Sequence, residues 1–95
     1  MESERFEWDD EKAEINLRKH QVSFQEGGTV FEDPDIVIES DPLHSWDELR
    51  IFATGFSVRK RILLVVSTER HERFRLISVR KATLEERRKY ESQFE

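Results

Sequence analysis

The segment Ile62-Leu63-Leu64-Val65-Val66 is the longest apolar run in the chain and carries no charge on either side of its alternation. Alternate residues of a strand face opposite ways, so a strand apolar at every position needs cover on both faces. The run is much too short for a membrane span. It therefore predicts a central strand in a layered domain, and the remaining segments must supply its neighbours and its cover.

Those segments fall in order along the 95 residues, enough for one domain spanning 1–95. Arg5 to Trp8 alternates polar and apolar residues, as a short strand does. Asp9 or Asp10 can cap a helix over about residues 11–20. In it Lys12, Asn16, Lys19 and His20 share one side, and Ala13 and Leu17 form an adjoining apolar strip. Ser23-Phe24-Gln25-Glu26 has the form of a capping box opening a second helix, with Phe24 and Phe31 facing the core. Gly27 and Gly28 weaken that helix by about 1 kcal/mol each relative to Ala. Glu32-Asp33-Pro34 ends it. Strands are then expected at 36–38, 49–56, 62–67 and 74–79, with a polar loop at 41–47 and a tight connection at Arg70-His71-Glu72. Thr83-Leu84-Glu85-Glu86 opens a C-terminal helix with Tyr90 and Phe94 on one side. The expected architecture is α+β: about four antiparallel strands, with two N-terminal helices and one C-terminal helix packed on them.

Charge divides the chain. Residues 1–58 hold 5 Lys/Arg and 15 Asp/Glu, and residues 59–95 hold 11 and 6. Either these charges pair with one another across the surface, or the second half builds a basic face suited to phosphates. The absence of Cys excludes disulfides, thiol nucleophiles and thiolate metal sites. His20, His44 and His71 show no metal-ligand spacing, so neither a metal nor a cofactor is expected. The N-terminus lacks the apolar core of a secretory signal, and a cytoplasmic location with no membrane association is the expectation.

Chemistry on a phosphodiester needs a base for the attacking hydroxyl, cationic groups for the phosphate as charge builds on it, and an acid for the leaving oxygen. Thr68-Glu69-Arg70-His71 closes the central strand, and Arg73, Arg75 and Arg80 follow on or just past the next. Arg70 and Arg73 are expected close together across the turn, and Arg80 shares a face with Ser78. The alternative for these charges is ordinary cross-strand pairing, such as Glu69 with Arg73.

The chain resembles the BrnT family from about Phe6 to Tyr90. The resemblance rests on Phe6-Glu7-Trp8-Asp9, Lys12, Asn16, Lys19-His20 and Val22-Ser23-Phe24. It continues through Val30-Phe31, Asp33-Pro34, Glu48-x-Arg50 and Gly55. It closes with Thr68-Glu69-Arg70, Arg75-x-Ile77-Ser78-x-Arg80-x-Ala82, and Glu86 to Tyr90. It implies a RelE-like fold and a ribonuclease toxin of a type II toxin–antitoxin system that cuts RNA without a metal. It also implies a BrnA-like antitoxin partner in a heterotetramer, which alone touches DNA. By matching positions, Arg70 and Arg80 are expected to bind phosphate, with Glu69 as base and either His20 or Lys19 as acid. Lys19, Arg50, Arg73, Arg75 and Tyr90 are expected to contact RNA. The alternative is a non-catalytic co-repressor module acting with a DNA-binding partner. Where the family has Gly after Lys-His this chain has Gln21, which must close the helix in a left-handed conformation.

Overall fold

A computed structural model describes residues 1–41, 43 and 49–95. The expected elements form in the expected order: β1 (Phe6–Glu7), α1 (Asp10–His20), α2 (Phe24–Thr29), β2 (Val37–Ser40), β3 (Arg50–Phe56), β4 (Ile62–Arg70), β5 (Arg73–Lys81) and α3 (Leu84–Glu91). Short 3₁₀ turns follow α2 at Val30–Glu32 and α3 at Ser92–Phe94. The sheet order is β1-β5-β4-β3-β2, with β4 central as its apolar run requires. The sheet has five strands, not four. The extra one is β1, whose two residues pair in parallel with Phe74 and Arg75, beside three antiparallel pairings. His44 and Glu48 lie outside the described residues.

The three helices begin on the residues that the sequence nominates. Asp9, Ser23 and Thr83 each accept from the backbone N–H three positions on. Only Thr83 completes a capping box with its Glu86. Glu26 instead turns inward, accepting from Ser57 Oγ at 2.7 Å and from Arg61 through both Nε and Nη2. Its carboxyl is 5% exposed. The Arg61 bonds outweigh the cost of burial, and its pKa lies below the usual carboxylate value. Gln21 does close α1 in the left-handed region, at φ 56°.

The helix-bearing face of the sheet holds Leu63, Val65, Leu76, Val79 and Ala53 against Trp8, Val22, Phe24 and Val30. Phe31 stacks on Phe74 at 4.7 Å between ring centroids. Gly27 is a glycine because α2 lies almost on β5: a Cβ there would stand 2.5 Å from Val79 Cγ2. What costs helix propensity thus permits helix–sheet contact.

Leu17, expected in the apolar strip beside Ala13, is 47% exposed, and Asn16 is buried instead. The reason lies at the edge of β5, where β1 ends opposite Arg75 and leaves Val79 without a strand neighbour on that side. The Asn16 amide takes that place. It donates to Val79 O at 2.9 Å and to Val22 O at 3.1 Å, and accepts from Val79 N at 3.2 Å. A leucine there would bury three backbone groups without partners.

Asn16→Ala is expected to destabilise the domain by about 3 kcal/mol in urea unfolding, because several buried backbone groups lose their only partner. Asn16→Asp should be at least as destabilising at pH 7, because its second oxygen would face the Val79 and Val22 carbonyls as a buried charge without a donor. Glu26 sets an acid limb. A lowered folded-state pKa stabilises fully above the unfolded value of about 4.3, and that stabilisation is lost as pH falls through the folded value. Glu26→Gln should be less stable at pH 7 and show a shallower loss between pH 5 and 3 in thermal melts.

Candidate active site

β5 carries the residues that matter, and its register decides where they point. Leu63, Val65, Leu64 and Val66 pair with Lys81, Val79, Arg80 and Ser78 in step. The next pair is Ser67 with Leu76, so Ile77 is an extra residue, a β-bulge. Leu76 and Val79, an odd number of positions apart, both reach the core because of it. The same shift has a consequence on the other face. Arg80 and Arg75 are also an odd number apart and would oppose each other in a regular strand. With the bulge, Arg73, Arg75, Ser78 and Arg80 all point away from α1 and α2.

Their cross-strand partners extend this face. One row runs Glu7, Arg75, Thr68, Arg50 across β1, β5, β4 and β3. A second row pairs Arg73 with Arg70 at the hairpin end. In the first row Arg75 and Arg50 stand two strand spacings apart, about 10 Å, so their long side chains can converge on one phosphate. Thr68 between them is buried and donates to Leu49 O at 2.7 Å. Glu7 lies 3.7 Å from the Arg75 guanidinium, with its side chain 14% exposed. It is the carboxylate that the sequence reading missed. Glu7 reads as one polar step in a short alternating strand, and only the parallel pairing with β5 sets it beside Arg75.

The expected residues separate into groups. Arg50, Arg70, Arg73 and Arg75 share the open half of the face. Arg50 and Arg70 make no ion pair among the described residues, while Arg73 meets Glu2 at 3.4 Å. Arg73 thus pairs with Glu2, not with Glu69. Arg80 lies on the same face but some five residues, about 15 Å, along β5. Both its terminal nitrogens donate to Glu86, at 2.8 and 2.9 Å, tying the start of α3 to the sheet. Glu86 is held below the usual carboxylate pKa, chiefly by these bonds. Glu69 pairs with Phe74 and so projects toward the helix-bearing side, opposite Arg70. Adjacent strand residues cannot share a face, and Glu69 does not join the arginines. α1 starts near Arg75 and meets Val79 at Asn16, so Lys19 and His20, one turn on, lie toward the Lys81 end of β5. They stand apart from the Arg75 row.

Tyr90 is 2% exposed, which removes it from RNA contact. α3 covers the far end of the same face, where Phe56 packs edge-on against the Tyr90 ring at 5.7 Å and Lys89 meets Glu39 at 2.6 Å. The Tyr90 hydroxyl donates to Asp33 at 2.6 Å, and burial with that charge beside it raises its pKa. Burial opposes the Asp33 charge. Donation from Tyr90 and from the N–H groups of Phe56 and Asp35 outweighs it and leaves the pKa below the ordinary value.

The β4–β5 turn places His71 and Glu72 at φ 51° and 67°. That is the two-residue hairpin geometry that prefers Asn-Gly. No cluster of His, Asp and Glu able to hold a metal occurs among the described residues. No helix among them is long and apolar enough to cross a membrane.

The family model described as "Ribonuclease toxin, BrnT, of type II toxin-antitoxin system" matches residues 8–86. The crystal structure of the Brucella abortus ribonuclease toxin BrnT superposes with a TM-score of 0.62 at 21% identity. The match covers 85% of this chain and 99% of that one. A search of curated proteins finds no match.

Replacing His71-Glu72 with Asn-Gly relieves two left-handed non-glycine residues. It should raise stability by about 1 kcal/mol, a Tm increase of roughly 4–8 °C by calorimetry.

Proposed function

The chain belongs to the BrnT family of type II ribonuclease toxins, and from that premise we propose that it cleaves RNA without a metal, on the open sheet face around Glu7, Arg75, Thr68 and Arg50. The supporting observation is the bulge at Ile77, which turns Arg73 and Arg75 to the same side as Arg50 and Arg70. In this reading Arg75 and Arg50 hold the scissile phosphate and answer the charge that develops as the 2′-oxygen attacks. Glu7 takes the 2′-hydroxyl proton. The phosphorus–5′-oxygen bond breaks, the 5′-oxygen takes a proton from water, and a 2′,3′-cyclic phosphate remains. Arg70 and Arg73 bind flanking phosphates. Glu7 replaces Glu69 as the base, because Glu69 lies on the other face.

A type II toxin has an antitoxin partner. Our finer reading is a BrnA-like antitoxin that holds two toxin copies in a heterotetramer, contacts DNA itself, and does so in the cytoplasm.

The test is cleavage of total RNA by purified, partner-free protein. Activity is expected to persist in EDTA. Arg75→Ala should slow it by roughly 10²–10³, and Glu7→Gln by roughly 10²–10⁴, with melting curves confirming that both variants fold. Loss of cleavage in EDTA with recovery on adding Mg²⁺ would reject the metal-free mechanism. Wild-type rates in both variants would reject the site.

A further inference from the structure

On the far side of α3 from the arginine row, two clefts meet at the ring of Phe56. One, of about 330 Å³, is lined by Lys60, Lys81 and Arg87, from the β3–β4 turn, the end of β5 and α3, with Glu91 as the one carboxylate on its wall. The other, of about 400 Å³, is lined by Pro34 and Val58 and is mostly apolar. Phe56 is 43% exposed and Val58 72%.

Three cations here make no ion pair among the described residues, although the chain as a whole is acidic. Several other basic side chains are answered, Arg73 by Glu2, Arg75 by Glu7, Arg61 by Glu26 and Lys89 by Glu39. Arg50 and Arg70 on the open face are not, so it is the apolar cleft beside these cations that sets the groove apart. The acidic residues of the apolar cleft are themselves engaged, Glu32 by Arg5 and Asp33 by Tyr90. A groove with one end cationic and the other apolar calls for an occupant with both characters.

We propose that this groove receives an amphipathic acidic segment of the antitoxin. Its carboxylates would meet Lys60, Lys81 and Arg87, and its apolar side chains would cover Phe56, Val58 and Pro34. RNA suits the groove less well. A phosphate backbone gains nothing from Pro34 and Val58, and the strand rows place Phe56 and Ile62 six residues, about 20 Å, from Arg50 and Thr68. The proposal rests on the toxin–antitoxin reading and adds where the antitoxin holds on. It separates holding from catalysis: groove residues set antitoxin affinity, and the open sheet face sets cleavage.

The experiment uses the full chain and the antitoxin encoded beside its gene, with affinity by calorimetry and RNA cleavage measured on the same preparations. Val58→Glu and the double variant Lys60→Glu with Lys81→Glu are expected to weaken antitoxin binding at least tenfold. The double variant should also flatten the salt dependence of binding. RNA cleavage by the partner-free variants should stay at the wild-type rate. Unchanged antitoxin affinity in both variants would overturn the groove while leaving the toxin reading intact. Loss of cleavage with retained affinity would assign the groove to RNA. A wild-type protein that fails to bind the antitoxin would overturn the toxin–antitoxin reading and this inference together.

Discussion

One inserted residue in β5 organises both faces of this molecule. Ile77 shifts the register between Val66 and Ser67. Before the bulge, Phe74 and Leu76 face the helices; after it, Val79 does. A regular strand would satisfy one of these segments and send the other's apolar residues to solvent and its arginines into the core. Burying an unpaired guanidinium is far more costly than losing one ladder hydrogen bond. The core therefore selects the bulge. The gathering of Arg73, Arg75 and Arg80 on one side is its consequence.

Side chains finish what the short edge strands leave open. β1 ends after Glu7, and Asn16 supplies the missing hydrogen bonds at Val79. β2 starts opposite Thr54, and at the other edge Asp33 accepts from Phe56 N at 2.8 Å. Each cap also ties a helix to the sheet: Asn16 is part of α1, and Asp33 receives the Tyr90 hydroxyl of α3. A polar residue mid-edge costs desolvation, but here it replaces a strand that the chain does not have. The charge split works similarly. The acidic first half sends Glu2, Glu7, Glu26 and Glu39 to partners in the basic second half. Pairing across the two halves thus accounts for much of the split, and it passes by Arg50 and Arg70 on the open face as it does Lys60, Lys81 and Arg87.

Element order, the central strand and all three N-caps were legible in the sequence, because they depend on local chemistry: a β-branched apolar run, and Asp, Ser or Thr before a helix. The strand pattern placed the arginines on the sheet, and the family resemblance marked them as phosphate and RNA contacts. The grouping of the site was not legible. Glu69 and Arg70 are adjacent in sequence yet face opposite ways, while Glu7 and Arg75 are 68 positions apart yet neighbours. The family resemblance puts Tyr90 among the RNA contacts, and nothing in its local sequence shows otherwise. Its burial comes from Phe56, Phe94 and Asp33, which lie far apart along the chain. The one legible trace of the bulge is that Leu76 and Val79, both strongly apolar, stand three apart in a strand whose period is two.

Arg80 shows how a residue can be on the right face and still belong to the scaffold. Its fork is fully matched by the two oxygens of Glu86, and Glu86 Oε1 also accepts from Thr83 N at 2.8 Å as the closing half of the capping box. A phosphate that took Arg80 from this pair would compete with a preorganised bidentate partner and loosen the first turn of α3. α3 in turn holds Tyr90 over Phe56 and separates the open arginine face from the groove beyond it. Arg80 therefore acts on both surfaces by fixing the wall between them, whereas Arg75, whose partner Glu7 touches it at only 3.7 Å, keeps its donors available to a ligand.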